Sequence, residues 1–208
     1  MIPIETLIPF FAASLLLALA PGPDNLFVLT QSALRGKIAG LMVMLGLCTG
    51  LVVHSTAVAM GVAVIFQTSA AAFSALKFIG AGYLAYLAYQ AFTSKTVLIQ
   101  GEAPPRISLG KLYFRGILMN ITNPKVSIFF LAFLPQFADP ARGRVSIQIF
   151  LLGGLFILAT LMIFSSIAFL AGALGRRLNR SPRIQSIMNK TAGTVFLGLA
   201  LKLAVAKR

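Results

Sequence analysis

The sequence predicts an all-α integral membrane protein with six transmembrane helices. Of its 208 residues, 58% are hydrophobic and only 11% are charged, whereas roughly a quarter of the residues in a soluble domain carry charge. The charged residues lie mainly between long apolar runs. A net charge of +14 can indicate nucleic-acid binding, but that needs a polar, basic face exposed to water. The sequence offers no such face, so we expect no nucleic-acid partner.

Six apolar runs are long enough to cross a bilayer, whose hydrocarbon core of about 30 Å takes roughly 20 helical residues. The stretch 38–76 has no Lys, Arg, Asp or Glu and is too long for one crossing, so we divide it at Gln67-Thr68-Ser69. The predicted spans are 4–30, 39–66, 70–92, 113–134, 146–173 and 187–206. The first has no basic flank and exceeds the apolar core of a signal peptide, so we expect the mature protein to keep it.

Basic residues fall mainly in three loops that must share one side of the membrane. These loops carry eleven Lys and Arg, namely Arg35, Lys37, Lys95, Arg106, Lys111, Arg115, Arg176, Arg177, Arg180, Arg183 and Lys190. The opposite side carries four, namely Arg142, Arg144, Lys207 and Arg208. The positive-inside rule therefore places the first set in the cytoplasm and both termini outside. A five-span topology, in which the first or a middle segment does not fully cross, is the alternative.

The chain is expected to form two halves of three spans, at 1–92 and 113–208, joined by a cytoplasmic loop at 93–112. The first span of each half is interrupted by proline, at Pro21 and Pro23 and again at Pro124. An odd number of spans inverts the second half relative to the first. Many secondary transporters have this inverted repeat, and their sites lie where the discontinuous helices meet.

A short motif supports the repeat. Lys77-x-x-Gly80-x-x-Tyr83-Leu84 in the third span recurs as Lys190-x-x-Gly193-x-x-Phe196-Leu197 in the sixth, at an offset of 113 residues. A chance alignment is the alternative, because Gly and Pro are frequent in membrane helices.

The segment Pro21-Gly22-Pro23 is expected to break the first helix, because proline lacks a backbone donor and clashes with the preceding turn. The N–H groups that begin the next half-helix, around Asn25, would attract an anion such as a substrate carboxylate. A simple packing kink is the alternative. The polar pair Asp24-Asn25 that follows the prolines favours the functional interpretation.

Two ionisable residues lie deep in the predicted spans. Asp24 is the one carboxylate in the interior of a span, and Lys125 follows Asn123-Pro124 in the fourth span. Such residues usually face a cavity or each other and mark a substrate or ion pathway. We expect Asp24 and Lys125 to approach between the halves, with Asp24 facing an ammonium or exchanging a proton and Lys125 facing a carboxylate. A static pair that holds the broken helices together is the alternative.

Other chemistry is sparse. His54 in the second span could serve a proton relay or could bond a neighbouring carbonyl. One histidine and one cysteine cannot assemble the usual zinc or iron site, and no grouping indicates a nucleophile. We therefore expect no metal, no cofactor and no enzymatic activity. The apolar setting of Cys48 is typical of a packing residue, and Gly46-x-x-x-Gly50 permits close helix packing or, secondarily, a homodimer.

Three motifs extend over nearly the whole chain. They are Ala20-Pro21-Gly22-Pro23-Asp24-Asn25 with Arg35-Gly36, then Gly80-Ala81-Gly82-Tyr83-Leu84-Ala85-Tyr86-Leu87, and finally Phe114-Arg115-Gly116 through Asn120 to Thr122-Asn123-Pro124-Lys125 and Leu134-Pro135-Gln136-Phe137. In these motifs the chain resembles the lysine exporter / resistance-to-homoserine-and-threonine family of bacterial amino-acid effluxers. Many members have Gly-Trp where this chain has Ala88-Tyr89, a difference that touches no ionisable group.

The resemblance implies a multi-pass protein of the bacterial cytoplasmic (inner) membrane that exports amino acids or close derivatives, driven by the proton gradient. The expected substrate and proton pathway comprises Pro21, Gly22, Pro23, Asp24, Asn25, His54, Asn120, Asn123, Pro124 and Lys125. A cationic substrate would call for more than one intramembrane carboxylate, so we favour neutral substrates such as homoserine, threonine or leucine. A metal-ion or small-ion carrier, or a non-transporting membrane assembly subunit, is the alternative.

Overall fold

The computed structural model describes residues 2–68, 70–94, 107–180 and 182–205, and within these ranges the chain is helical with no strand. The helices are α1 Ile4–Leu19, α2 Pro23–Arg35, α3 Lys37–Thr68, α4 Ala70–Thr93, α5 Leu109–Ile121, α6 Pro124–Ile128, α7 Val145–Arg180 and α8 Pro182–Val205. Between α6 and α7 lie a π-helical turn, Phe129–Phe133, and two 3₁₀ turns, Leu134–Phe137 and Pro140–Arg142. The predicted all-α class is confirmed. Five residues used above to place loops and span boundaries lie outside the described residues, namely Ser69, Lys95, Arg106, Lys207 and Arg208.

Two helices are long and apolar enough to cross a membrane alone, at Lys37–Gly61 in α3 and Val145–Ala171 in α7. Two bent pairs also qualify when each is taken as one span. These are α1 with α2, bent by 58°, and α5 with Pro124–Phe137, bent by 50°. The described residues therefore provide two to four candidate spans, and the predicted proline interruptions are confirmed.

The first break follows from its two prolines. α1 ends at Leu19, and Pro21 lacks the N–H that would continue the helix. Gly22 then adopts an extended conformation, with φ −168° and ψ 176°, and Pro23 takes the first position of α2. Proline suits this position because its missing N–H has no partner there in any helix. The sequence thus ends one helix and starts the next at a fixed point.

The second break carries a side-chain cap. Asn123 precedes Pro124, and its Oδ1 accepts a hydrogen bond of 3.0 Å from the Lys125 N–H. An asparagine N-cap followed by proline is a strong helix start. The short helix α6 then continues into the π-helical turn, which the sequence pattern did not predict. Such turns are rare and are frequently found at functional sites.

The π-helical turn brings several phenylalanine rings into one buried cluster. Neighbouring rings in this cluster are tilted or edge-on, with centroids 4.8–6.3 Å apart, the geometry that aromatic pairs prefer. We call this the aromatic cluster, and its members are Phe10, Phe129, Phe130, Phe133, Phe137 and Phe156. It joins α1, α7 and the end of the second broken helix.

Two pairs of helices run antiparallel. Early residues of one helix meet late residues of the other in both pairs, which fixes their relative direction. The contacting pairs are Ser55–Gly153 and Met44–Ser165 between α3 and α7, and Gly80–Leu203 and Phe92–Gly193 between α4 and α8. The glycine in each of three of these contacts lets the partner side chain approach closely.

α3 and α5 run parallel and in close contact. Gly46 of α3 lies against the α5 backbone, where an added Cβ would meet the Tyr113 carbonyl oxygen and come within 3.0 Å of the Gly116 Cα. Four residues later, Gly50 lies against Asn120 of α5. The spacing Gly46-x-x-x-Gly50 therefore serves close packing, as predicted.

We expect Gly46→Ala to lower the stability of the purified protein, because its Cβ would press on a backbone that cannot move aside as a flexible side chain can. The expected loss is about 1–3 kcal/mol, the usual range for an overpacked site, read as a lower Tm in detergent. Gly61→Ala is the control in the same helix, since nothing lies within 4 Å of its added Cβ. Equal Tm values for the two variants would contradict the close α3–α5 contact.

Candidate functional site

The first break leaves backbone carbonyls without helical partners, and two side chains supply the missing donors. Asn25 Nδ2 donates to the Ala18 carbonyl oxygen at 2.7 Å. Lys125 Nζ, from the second break, donates to the Ala20 carbonyl oxygen at 3.0 Å. Unsatisfied carbonyls are costly in an apolar environment. The two polar side chains therefore stabilise the break as well as marking it.

Asp24 is tied to the second break through Asn123. Its carboxylate is 7% exposed, and its Oδ2 accepts a hydrogen bond of 2.9 Å from Asn123 Nδ2. Since Asn123 Oδ1 also caps α6, one amide holds both broken helices. The other carboxylate oxygen, Asp24 Oδ1, is buried with no hydrogen-bond partner.

Asp24 and Lys125 meet at the interface of the two breaks, as the sequence predicted, but they do not form a direct ion pair. The ion pair that the described residues contain is Arg142 with Asp139, at 3.0 Å in an exposed turn. The two buried charges line one small cavity instead. A carboxylate and an ammonium that are close but not in contact remain open to other partners.

Each charge lies at a helix end of opposite sign. Asp24 is the second residue of α2, where the helix dipole is positive, while Lys125 Nζ reaches the carbonyl end of α1, where the dipole is negative. Lys125 is also the second residue of α6. The two breaks therefore place residues of opposite charge at equivalent positions, each directly after a proline.

The small cavity between these groups, which we call the inner chamber, has a volume of about 20 Å³. Asp24, Asn25, Asn120, Lys125 and Thr160 supply its polar lining, and the rest of its wall is apolar. Asn120 is 3% exposed, and its Oδ1 has no hydrogen-bond partner. Asp24 and Asn120, each with one unpartnered side-chain oxygen, thus line the same small cavity.

A much larger space, the main cavity, lies on the other side of Lys125 and measures about 580 Å³. It reaches the end of α4 and the start of α8. The residues that form its wall include Pro21, Gly22, Pro23, Tyr83, Gln90, Asn123, Pro124, Lys125, Gln185, Asn189 and Phe196. Among these described residues, Lys125 supplies the one charged group, and its Nζ is 5.5 Å from the centre of the Phe196 ring. The cavity is large enough for an amino acid and suits an anionic group at its inner end.

The structure brings the predicted pathway residues together, and it adds others. His54 Nε2 donates to the Asn120 carbonyl oxygen at 3.2 Å, which is the carbonyl-bonded arrangement considered from the sequence. Residues not predicted are Gln90, Asn189, Phe196 and Thr160. The spacing of these residues in the sequence was a usable signal. Gln90 lies seven residues after Tyr83, and Phe196 lies seven residues after Asn189, so the two members of each pair share one face of a helix. Which faces meet could not be read from one sequence.

These features define a multi-pass helical membrane protein with buried ionisable groups at two helix breaks. The chain belongs to the LysE type translocator family, which matches residues 15–207. The family resemblance seen in the three sequence motifs is therefore confirmed, and with it the assignment to translocators of the membrane. The family name denotes a transporter rather than an enzyme.

Curated relatives cover nearly the whole chain. A protein of Vibrio cholerae serotype O1 named an uncharacterized membrane protein is 32% identical over 98% of each chain. A homoserine/homoserine lactone efflux protein of Salmonella typhimurium is 30% identical over 95% of each. A leucine efflux protein of Salmonella choleraesuis is 26% identical over 94% of this chain and 92% of its own. No solved structure matches the chain significantly.

We expect Asn123→Ala to destabilise the protein by about 2–4 kcal/mol, because it removes an N-cap and leaves Asp24 Oδ2 buried without its donor. Thermal unfolding in detergent measures the loss as a lower Tm. Asn123→Ser is the matched variant, since serine can still cap α6 but cannot reach Asp24 as a donor, and we expect an intermediate Tm. A Tm for Asn123→Ala equal to that of the wild type would contradict the role of Asn123 as the link between the breaks.

Proposed function

We propose that the protein is a secondary active exporter of neutral amino acids or close derivatives across the bacterial cytoplasmic membrane. The observation that carries this proposal is the main cavity, which has room for an amino acid and ends at Lys125 beside both helix breaks. Family membership supports export. Relatives named for efflux of homoserine, homoserine lactone and leucine support uncharged side chains.

The lining of the main cavity supports a neutral rather than a basic substrate. Apart from Lys125, its described polar wall consists of amide and hydroxyl groups such as those of Tyr83, Gln90 and Asn189. A lysine or arginine side chain in this cavity would find no carboxylate among these residues and would face the Lys125 ammonium. Amide and apolar groups suit the side chains of homoserine, threonine or leucine.

The six-span inverted repeat is part of the proposal, with the halves at 1–92 and 113–208. The antiparallel directions of α3 against α7 and of α4 against α8 support it, since inverted halves require corresponding spans to be antiparallel. The parallel run of α3 and α5 fits the same arrangement. α4 and α8 have 24 residues each, about 36 Å of helix, and are long enough for a crossing.

The arrangement of cavities supports alternating access. The main cavity extends to Gln90 at the end of α4 and Asn189 near the start of α8, the ends that the positive-inside rule assigns to the cytoplasm. A second cavity of about 230 Å³ lies near Glu5 and Lys202, and Phe133 and Phe137 form part of its wall. The aromatic cluster therefore separates this recess from the breaks. In this conformation, substrate enters from the cytoplasm. Release to the outside requires the rings of the aromatic cluster to move apart.

Asp24 is the residue that we propose to exchange a proton during transport. Its Oδ1 is buried and has no hydrogen-bond partner, so it can hold either a proton or a cationic group. Because this one oxygen can bind either a proton or the cationic group of the substrate, the two cannot occupy the site at the same time. This competition is what an exporter driven by an inward proton gradient requires.

The test is to express the gene in a bacterium that lacks its own amino-acid exporters and to measure the amino acids that accumulate outside. We expect at least one neutral amino acid to increase, and we expect Asp24→Asn to reduce its export rate at least tenfold at equal protein level in the membrane. Asp139→Asn is the matched control, because Asp139 lies half-exposed in a surface turn with Arg142. Its export should equal that of the wild type.

Three outcomes separate the parts of this proposal. No change for any amino acid, with the protein present in the membrane, would overturn export. Full export by Asp24→Asn would remove Asp24 from the mechanism. Export that persists after a protonophore has collapsed the proton gradient would remove the coupling to protons and leave export standing.

A further inference from the structure

The inner chamber contains two acceptors that need a donor. Asp24 Oδ1 and Asn120 Oδ1 are buried without partners, and both side chains are more than nine-tenths buried, at 7% and 3% exposure. An unsatisfied buried acceptor costs roughly 1–3 kcal/mol. The chamber volume is about 20 Å³, and a group the size of a water molecule needs roughly 10–15 Å³. The space therefore has room for one small donor group beside these two side chains.

Asn120 is held firmly in place at the wall of the chamber. Its backbone carbonyl accepts hydrogen bonds from His54 Nε2 at 3.2 Å and from the Asn123 N–H at 3.1 Å. Gly50 lies so close that an added Cβ would be 2.6 Å from Asn120 Oδ1. A side chain held from several directions is preorganised for binding. Packing alone would be served as well by an apolar residue of the same shape.

We propose that the inner chamber receives the ammonium group of the transported amino acid, with Asp24 Oδ1 and Asn120 Oδ1 as its two acceptors. The inference rests on the proposed function and adds Asn120 as a specificity-determining residue. An ammonium has three N–H donors and no acceptor, which matches a chamber that presents two acceptors. Its positive charge also compensates the buried Asp24 carboxylate, as a neutral donor would not.

Lys125 connects this chamber with the main cavity, because it lines both. Its Nζ rests on the Ala20 carbonyl at the end of a flexible four-carbon stem. A substrate carboxylate that arrives through the main cavity pairs with Nζ and draws it away from Ala20. An α-amino acid carries its carboxylate and ammonium on one carbon, so the ammonium then reaches the chamber while the side chain stays in the main cavity.

This geometry predicts that the protein is more selective for the ammonium group of the substrate than for its carboxylate or side chain. The chamber has room for a primary ammonium but not for an acylated nitrogen, and a hydroxyl in its place would leave the Asp24 charge uncompensated. Amides and esters keep the ammonium and lose only the pairing with Lys125. The main cavity tolerates variation of the side chain.

The experiment measures competition for binding to the purified full-length protein in detergent. The probes are the L-amino acid exported most strongly in the assay above, its amide and its N-acetyl derivative. We expect the amide to compete at a concentration at least tenfold lower than the N-acetyl compound. We expect Asn120→Leu, which keeps the branched shape but removes the acceptor, to weaken binding of the parent amino acid and of its amide at least tenfold.

Thr49→Val is the control for altered α3–α5 packing, because the Thr49 hydroxyl bonds Tyr113 across the same helix pair at 2.8 Å, outside the chamber. Its affinity should stay within about threefold of the wild type. Equal competition by the amide and the N-acetyl compound in the wild type overturns the ammonium subsite even if Asn120→Leu does not fold. Unchanged affinity in a folded Asn120→Leu also overturns it. Neither result affects export, which fails only if the wild type exports no amino acid.

Discussion

Backbone groups exposed at a helix break in an apolar environment must find partners, and this constraint organises the centre of the protein. The break at Pro21-Gly22-Pro23 exposes the carbonyls of Ala18 and Ala20, and the donors that satisfy them are Asn25 and Lys125. Because Lys125 belongs to the second break, the two broken helices cannot separate without leaving a buried carbonyl unpaired. The same residues that stabilise the breaks therefore line the cavities at their interface.

Charge at this interface is distributed rather than paired. Asp24 begins one half-helix and is held by Asn123, while Lys125 begins the other and is held by the end of α1. A direct ion pair would satisfy both groups and favour a static structure. Held apart, each keeps an unused capacity, an acceptor on Asp24 and further N–H donors on Lys125. The amino-acid substrate that we propose, as a zwitterion, would supply the complement of both.

Those features that depend on local sequence could be predicted, whereas those that depend on which helix faces meet could not. Apolar runs and prolines located the helices and both breaks, and the depth of Asp24 and Lys125 identified them as unusual. The bridging role of Asn123 needed the relative position of two segments about 100 residues apart. The π-helical turn and the walls formed by Gln90 and Asn189 likewise follow from tertiary packing rather than from any local pattern.

The central claim is that substrate reaches the helix breaks from the cytoplasm through the main cavity, and labelling of Gly22→Cys tests it most directly. An added Cβ there would lie 3.5 Å from Lys125 Nζ without a clash, and the one native cysteine, Cys48, can be replaced by alanine. A membrane-impermeant thiol reagent would be applied to inverted and to right-side-out vesicles. We predict labelling in inverted vesicles that the exported amino acid slows at least fivefold. Labelling from the outside alone, or labelling unaffected by substrate, would contradict this claim.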